Sequence, residues 1–216
     1  MPTPSGNTYR LILLLIFFLA FAVSCIHPTD PHDFLLEHSL TFAGLIGLVI
    51  LNHSRPFSNL ACTCLFIFFM LHVLGAHYLY SNVPYDQWAQ SLTGRTINET
   101  LGLRRNSYDR LVHFSFGFLM VVPMRELVVR FLKLRMLGSL LVTLAFLAAF
   151  SELYEHIEWL IAATMAPEAA EHYNGQQGDM FDSQKDTSLA NIGAIASSLL
   201  VLIFARRTIP SPSGGG

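Results

Sequence analysis

Charged residues are few in this chain, and their scarcity excludes an ordinary soluble domain. Only 13% of the 216 residues are charged, 52% are hydrophobic and the mean hydropathy is +0.46, whereas soluble domains carry about 25% charged residues. The 13 lysines and arginines are scattered between hydrophobic runs and form no basic patch, which argues against nucleic acid as a partner. The lipid bilayer is the expected surrounding, and the sequence identifies no protein partner.

Cysteine is also scarce, and the sequence contains neither a disulfide framework nor a zinc-binding histidine motif. Cys62 and Cys64 lie inside one apolar run and Cys25 ends another, so the disulfide framework of a small secreted domain is excluded. No two histidines have the spacing of an HExxH zinc motif. Any metal site must therefore be assembled from separate segments.

Long hydrophobic stretches, in contrast, are plentiful. A helix needs about 20 mostly apolar residues to cross a hydrocarbon core of about 30 Å, and runs such as 11–18 are apolar on every side, which excludes spanning strands. We predict an all-α, polytopic transmembrane helical bundle of about six spans, with one membrane domain over 1–209 and a disordered tail at 210–216. The predicted spans are 11–26, 34–51, 60–80, 112–129, 137–163 and 189–204.

The distribution of lysine and arginine predicts the orientation of these spans. An excess of basic residues in short loops marks the cytoplasmic side, which places both termini in the cytoplasm. The first span has an alternative interpretation as a signal peptide with a lipoprotein-type cleavage site at 22–25, which would leave five spans. The inside set is Arg10, Arg55, Arg125, Arg130, Lys133, Arg135, Arg206 and Arg207, and the outside set is Arg95, Arg104, Arg105, Arg110 and Lys185.

Acidic and histidine side chains gather at the opposite, outer face. Glu126 and His53 are the exceptions under this topology. Loop residues such as Asp86 and Glu99 are explained by solvation alone. Solvation does not explain three other residues, because they interrupt a hydrophobic segment that resumes at Leu160. A charge at membrane depth costs about 2.5–3.5 kcal/mol. These three are Glu152, Glu155 and His156, which share a helical face with Trp159 that we expect to pack against other helices.

Two further groups of polar residues flank predicted spans. Asp109 and His113 are four residues apart and so stack on one helical face, which suits a metal ligand, a general base or a structural ion pair. If helical, Asp179, Asp182 and Asp186 line one edge, where carboxylates repel one another unless a cation or a base neutralises them. Helix capping is the alternative for one or two of these three.

Together these groups predict one outward-facing site contributed by three helices. Carboxylate oxygens with imidazole nitrogens suit a divalent ion such as Mg²⁺, Mn²⁺ or Zn²⁺. The predicted catalytic residues are His113, His156, Glu152 and Glu155, with either histidine as the general base. The predicted metal ligands are Asp109, Asp179, Asp182 and Asp186.

Several of these segments resemble a known family. The residues at 108–114, at 152–155 and from 178 to 194 are similar to the YjdF-like family of predicted bacterial inner-membrane proteins, over most of the chain. The patterns from Asp109 to Phe114 and from Asp186 to Gly193 more distantly resemble VanZ-like membrane proteins linked to glycopeptide resistance. The first resemblance implies a multi-pass protein of the bacterial inner membrane and supplies no activity.

Three functions remain open at this point. The first hypothesis is a metal-dependent enzyme acting on a lipid-linked or envelope substrate. The second is a cation or proton-coupled transporter, which needs a polar path to the inner face. The third is a structural or accessory protein whose polar cluster only holds the helices together.

Overall fold

The fold is a bundle of membrane-spanning helices. The computed structural model describes residues 6–52 and 57–207, and within them it contains helices and no strand, which confirms the all-α prediction. The predicted tail at 210–216, and with it His53 and Arg55, lies outside the described residues. Six helices are long and apolar enough to cross a membrane: α1 (Gly6–Ser24), α2 (Pro31–Asn52), α3 (Asn59–Tyr78), α6 (Tyr108–Leu132), α7 (Met136–Ala162) and α9 (Asp182–Arg207).

Helices α2, α6 and α9 extend at both ends beyond the hydrophobic stretches that predicted them. Helix α6 begins at Tyr108 rather than at 112, and α9 begins at Asp182 rather than at 189. Hydropathy marks only the apolar part of a span, whereas the backbone hydrogen bonds continue for one or two turns into polar residues. Asp109 and Asp186 therefore lie on regular helix, in the first turn of α6 and the second turn of α9.

One end of the bundle, which we call the loop-rich end, gathers the connections 25–30, 79–107 and 163–181. Three short helices lie there, α4 (Tyr85–Thr93), α5 (Ile97–Leu101) and α8 (Pro167–Asn174). The first two occupy the segment expected to be a plain loop, where Thr96 and Glu99 form a capping box. The Tyr85 hydroxyl donates to Asn98 Oδ1 at 2.7 Å and joins these two helices.

Helices α6 and α9 cross at backbone contact in the centre of the bundle. A Cβ added at Gly117 would clash with the carbonyl group of Ala190, and one added at Gly193 would clash with the carbonyl oxygen of Phe114. Close approach of this kind requires residues without side chains. Helix α7 packs beside the crossing and completes a core that contains Val121, Leu140, Leu147 and Ala194.

The first two helices pack on the other side, against α3. The Tyr9 hydroxyl lies 2.6 Å from Thr63 Oγ1, and the Phe17 and Phe69 rings meet edge to face. Helix α2 contacts α3 where Thr41 Oγ1 lies 2.5 Å from His72 Nε2. A cavity of about 540 Å³ lies among α2, α3, α6 and α7.

Candidate functional site

Three of the predicted site residues meet at the loop-rich end. One ligand atom from each of Asp109, His113 and Asp186 lies within 4.8 Å of the other two. His113 is one turn after Asp109 on α6, and Asp186 faces them from α9 because the glycine crossing brings the two helices together. The sequence pattern therefore identified residues that are distant in the chain and adjacent in space.

Glu155 joins this group from α7. Its Oε1 lies 3.4 Å from His113 Nε2, and Asp109 Oδ1 lies 3.5 Å from the same nitrogen. Both Glu155 Oε1 and Asp186 Oδ1 are buried without a hydrogen-bond partner, in side chains 8% and 2% exposed. Buried carboxylate oxygens without partners are costly, so each of these atoms requires a proton or a nearby positive charge. We call Asp109, His113, Glu155 and Asp186 the acid–histidine group.

Asp182 and Asp179 are bound by basic side chains instead. Arg105 donates to Asp182 Oδ1 at 2.7 Å, and Arg110 donates to Asp179 Oδ2 at 2.6 Å and to Asp182 Oδ1 at 3.3 Å. The cation that we expected beside these carboxylates is therefore a guanidinium group, and neither joins the acid–histidine group. No spacing in the chain predicted this pairing, since Arg105 lies in the long connection before α6.

Asp179 also differs from the prediction in its backbone. It precedes α9 rather than sharing its face, and its Oδ1 accepts a hydrogen bond from the amide of Phe181 at 3.2 Å. This hydrogen bond closes a turn just before α9, and the capping alternative for one or two of the three aspartates stays a prediction. Lys185 donates to Asp179 Oδ2, which lowers the pKa of this carboxyl from 3.8 to about 2.

Glu152 and His156 lie outside the acid–histidine group. Their side chains are 59% and 58% exposed and contact each other at 3.6 Å, and Trp159 is 62% exposed. The prediction that they pack against other helices is wrong. The 100° periodicity placed Glu152 and His156 on the same side of α7 as Glu155. The buried side of α7 is centred on Ser151 and Glu155, so Glu155 faces inward, whereas Glu152 and His156 lie outside the buried side.

The cavity beneath the acid–histidine group is mostly apolar, with a polar end. Asp109 and His113 form part of its wall, so the acid–histidine group and the cavity are continuous. Apolar side chains form the rest of its length down to Leu127. The polar end is lined by Glu37, Thr41, His72, Tyr80, Asp109, His113, Ser151 and Tyr154.

A second group of potential metal ligands has a simpler explanation. Asp30, His32 and Asp33 lie close together at the start of α2. Asp30 Oδ1 accepts from the amides of His32 and Asp33 at 2.8 and 3.1 Å, which is the geometry of a helix cap. The His32 side chain is 74% exposed, so we assign this group to the start of the helix.

Comparison with known proteins agrees with this architecture. Residues 9–207 match the family described as "Predicted membrane protein (DUF2238)". The chain belongs to this family. It is 33% identical over 205 residues to the inner membrane protein YjdF of Escherichia coli (strain K12), covering 94% of this chain and 91% of that protein. No solved structure matches the chain.

Membership of DUF2238 confirms the first resemblance, and together with six apolar helices it shows a multi-pass membrane protein. The more distant likeness to VanZ-like proteins stays a prediction. The matched range of the DUF2238 chain includes every residue of the acid–histidine group.

Sequence reasoning missed a second set of polar contacts in this DUF2238 protein. Tyr154 donates to Glu37 Oε2 at 3.2 Å and so joins α7 to α2. The hydroxyl of Tyr80 bonds to His72 Nδ1, whose other ring nitrogen contacts Thr41. Each pair brings together separate segments, and their only sequence signal was the abundance of polar residues at the outer face.

Proposed function

We propose that this DUF2238 protein is a membrane-embedded enzyme that holds a divalent metal ion at the acid–histidine group and acts on the polar part of a lipid-linked substrate. One observation carries the proposal: Asp109 and His113 belong both to the ligand group and to the wall of the apolar cavity. An amphipathic molecule in that cavity would present its polar end to these side chains.

The charge of the acid–histidine group supports a cation. Three carboxyl groups lie beside one imidazole in a buried site, where like charges disfavour ionisation unless a proton or a cation is present. A divalent ion would balance two carboxylate charges and would bind the Asp186 oxygen that has no hydrogen-bond partner. Two carboxylates and an imidazole also match the three protein ligands of catalytic metal sites, in which a further position stays open.

The donor spacing supports the same ion class. Donor atoms that share an ion at about 2.1 Å in tetrahedral or octahedral geometry are about 3.0–3.4 Å apart, and the ligand atoms of Asp109, His113 and Asp186 lie within 4.8 Å of one another. These side chains would therefore have to move closer together to share an ion. Mg²⁺, Mn²⁺ and Zn²⁺ all fit this donor set.

The chemistry that follows is hydrolysis or group transfer at an ester or phosphoester bond. A divalent ion in this position would lower the pKa of a water molecule and polarise the bond under attack. Glu155 would accept the proton of that water, because its Oε1 lies 3.4 Å from His113 Nε2 and Glu155 is not one of the three ligands. His113 would hold the ion or, in the alternative role, would accept that proton.

Ion or proton transport receives less support from the same geometry. A transporter needs polar groups along a path through the membrane. Beyond the polar end, the cavity wall consists of side chains such as Met120, Met124 and Leu147, which neither bind ions nor relay protons.

The orientation with the acid–histidine group outside is part of the proposal. Eight of the 13 lysines and arginines lie on the inner side under this topology and five on the outer side. This excess favours cytoplasmic termini. Activity of a periplasmic reporter fused after Arg207 would contradict this orientation.

Metal binding by purified protein is the decisive experiment. We expect about one Mn²⁺ or Zn²⁺ per chain by titration calorimetry and elemental analysis, lost in Asp186→Asn because one of three ligands is removed. Glu152→Gln is the matched control and should bind normally, since its carboxylate is exposed and paired with His156. Wild-type protein that binds no divalent ion, and whose thermal stability is unchanged by EDTA, would refute the enzyme and leave a structural role for the acid–histidine group.

A further inference from the structure

The shape and the lining of the cavity indicate what kind of molecule binds in it. We infer that it binds the hydrocarbon chain of a membrane lipid, admitted sideways from the bilayer between α2 and α7. The assignment of the reacting end rests on the proposed function, whereas the binding of the chain rests on the shape and lining of the cavity alone.

The cavity is long and apolar in the direction of the membrane normal. On α6 its lining runs from Asp109 to Leu127, which at 1.5 Å per residue is about 27 Å and close to the hydrocarbon thickness of about 30 Å. Its volume of about 540 Å³ lies within the range of about 300–1,000 Å³ that small-molecule sites occupy. The walls along this length include Leu65, Phe69 and Met124.

A lateral opening connects the cavity with the lipid. Gly44 on α2 and Phe150 and Leu153 on α7 line the cavity and are also exposed, the two larger side chains by 48% and 54%. A Cβ placed at Gly44 or Gly47 would meet no atom within 4 Å. Two glycines therefore keep the side of α2 that borders the opening free of side chains, at a depth where the surrounding medium is hydrocarbon.

The polar end of the cavity is closed by side-chain contacts. The Tyr154–Glu37 hydrogen bond joins α7 to α2 above the opening, and Tyr80 and Thr41 both bond to His72 beside it. A molecule that enters through the opening would place its polar end against Asp109 and His113 and its chain along the apolar wall.

The lining also excludes other occupants. A peptide in extended form needs partners for its backbone N–H and C=O groups, and the wall below Thr41 on α2 and below Ser151 on α7 offers apolar side chains. A helix is about 10 Å across, so a helix as long as the cavity would need several times the volume of the cavity. A flexible hydrocarbon chain needs neither hydrogen bonds nor that width.

Photolabelling with diazirine-bearing palmitic acid, in protein reconstituted into nanodiscs, tests the inference. We expect saturable labelling of cavity residues such as Met120 and Met124, competed by unlabelled palmitic acid, and non-saturable labelling of the lipid-facing Ile46. Gly44→Phe should abolish the saturable labelling because the new ring fills the opening. Val49→Phe adds a ring at a position that is 71% exposed and should change nothing.

Two variants separate this inference from the proposed function. Asp186→Asn should lose metal binding and keep saturable labelling, and Gly44→Phe should keep metal binding, which also shows that it folds. If Gly44→Phe fails to fold, the wild-type labelling pattern decides the question. Labelling of Met120 and Met124 that is absent, or that is no more saturable than that of Ile46, would overturn the inference even if metal is bound.

Discussion

The glycine crossing of α6 and α9 makes a prediction that tests the fold and the candidate site together. In Gly193→Ala, the added methyl group would lie 2.9 Å from the amide nitrogen of Phe118 and closer still to the carbonyl oxygen of Phe114. Contacts of this kind are comfortable at about 3.5 Å, so the two backbones must separate by about 1 Å. Neither obstacle is a flexible side chain that could move aside.

This separation should lower both the thermal stability of the protein and its affinity for the metal ion. Overpacking of a tight contact costs about 1–3 kcal/mol, which should appear as a lower unfolding temperature in detergent. Asp186 follows α9 away from Asp109 and His113, and functional groups must be held within about 0.5 Å. A displacement of about 1 Å can cost about 100-fold in activity, and we expect a metal affinity weakened to a comparable degree.

Gly138→Ala is the matched control, because it makes the same chemical change in a neighbouring spanning helix. The nearest atom to its new methyl group is Leu134 Cβ at 3.8 Å, an ordinary contact. Replacing a helical glycine where there is space stabilises by about 0.4–1 kcal/mol. If Gly193→Ala unfolds at the wild-type temperature and binds metal as the wild type does, the close crossing and its role in positioning Asp186 are both wrong.

Two further predictions concern the charged pairs beside the acid–histidine group. Asp182→Ala leaves the guanidinium group of Arg105, 11% exposed in the native pair, without its carboxylate, and should lower the unfolding free energy by about 3–5 kcal/mol. Glu152→Ala breaks an exposed pair and should lower it by less than about 1 kcal/mol. Equal losses in the two variants would contradict the assignment of Arg105–Asp182 as a buried ion pair. Because Lys185 lowers the pKa of Asp179 to about 2, this carboxylate stabilises the fold fully above about pH 4 and loses its effect as the pH falls through 2. In acid unfolding titrations the stability difference between wild type and Asp179→Asn should shrink over that interval, and a difference that is constant with pH would refute the pairing.

The sequence predicted the bundle well because its signal is local. Each span is a continuous hydrophobic run, so composition alone identified all six helices, and only their ends differed. Asp109 and His113 were found for the same reason, since four residues on a helix are one turn. Their convergence with Asp186 needed the close crossing of α6 and α9, at which Gly117 and Gly193 lie.

The parts that sequence reasoning missed depend on contacts between distant segments. Arg105 reaches Asp182 across 77 positions of the chain, and no periodicity connects a loop arginine with a helix start. The buried side of α7 depends on which neighbours pack there, so the pattern that grouped Glu155 with Glu152 and His156 could not say which of them faces inward. The cavity was missed because it is an empty space among four helices rather than a property of any one.

The exposed pair Glu152–His156 on α7 marks the level of the membrane surface. From Arg135 to Glu152 the helix rises about 25 Å, nearly the full thickness of the hydrocarbon region, and the ionisable groups of Glu152 and His156 face outward at its upper limit. Trp159, one turn higher and 62% exposed, then lies among the headgroups, where tryptophan is favoured. Glu155 and its partners are thus held at headgroup height, while the hollow beneath them stays among the acyl chains.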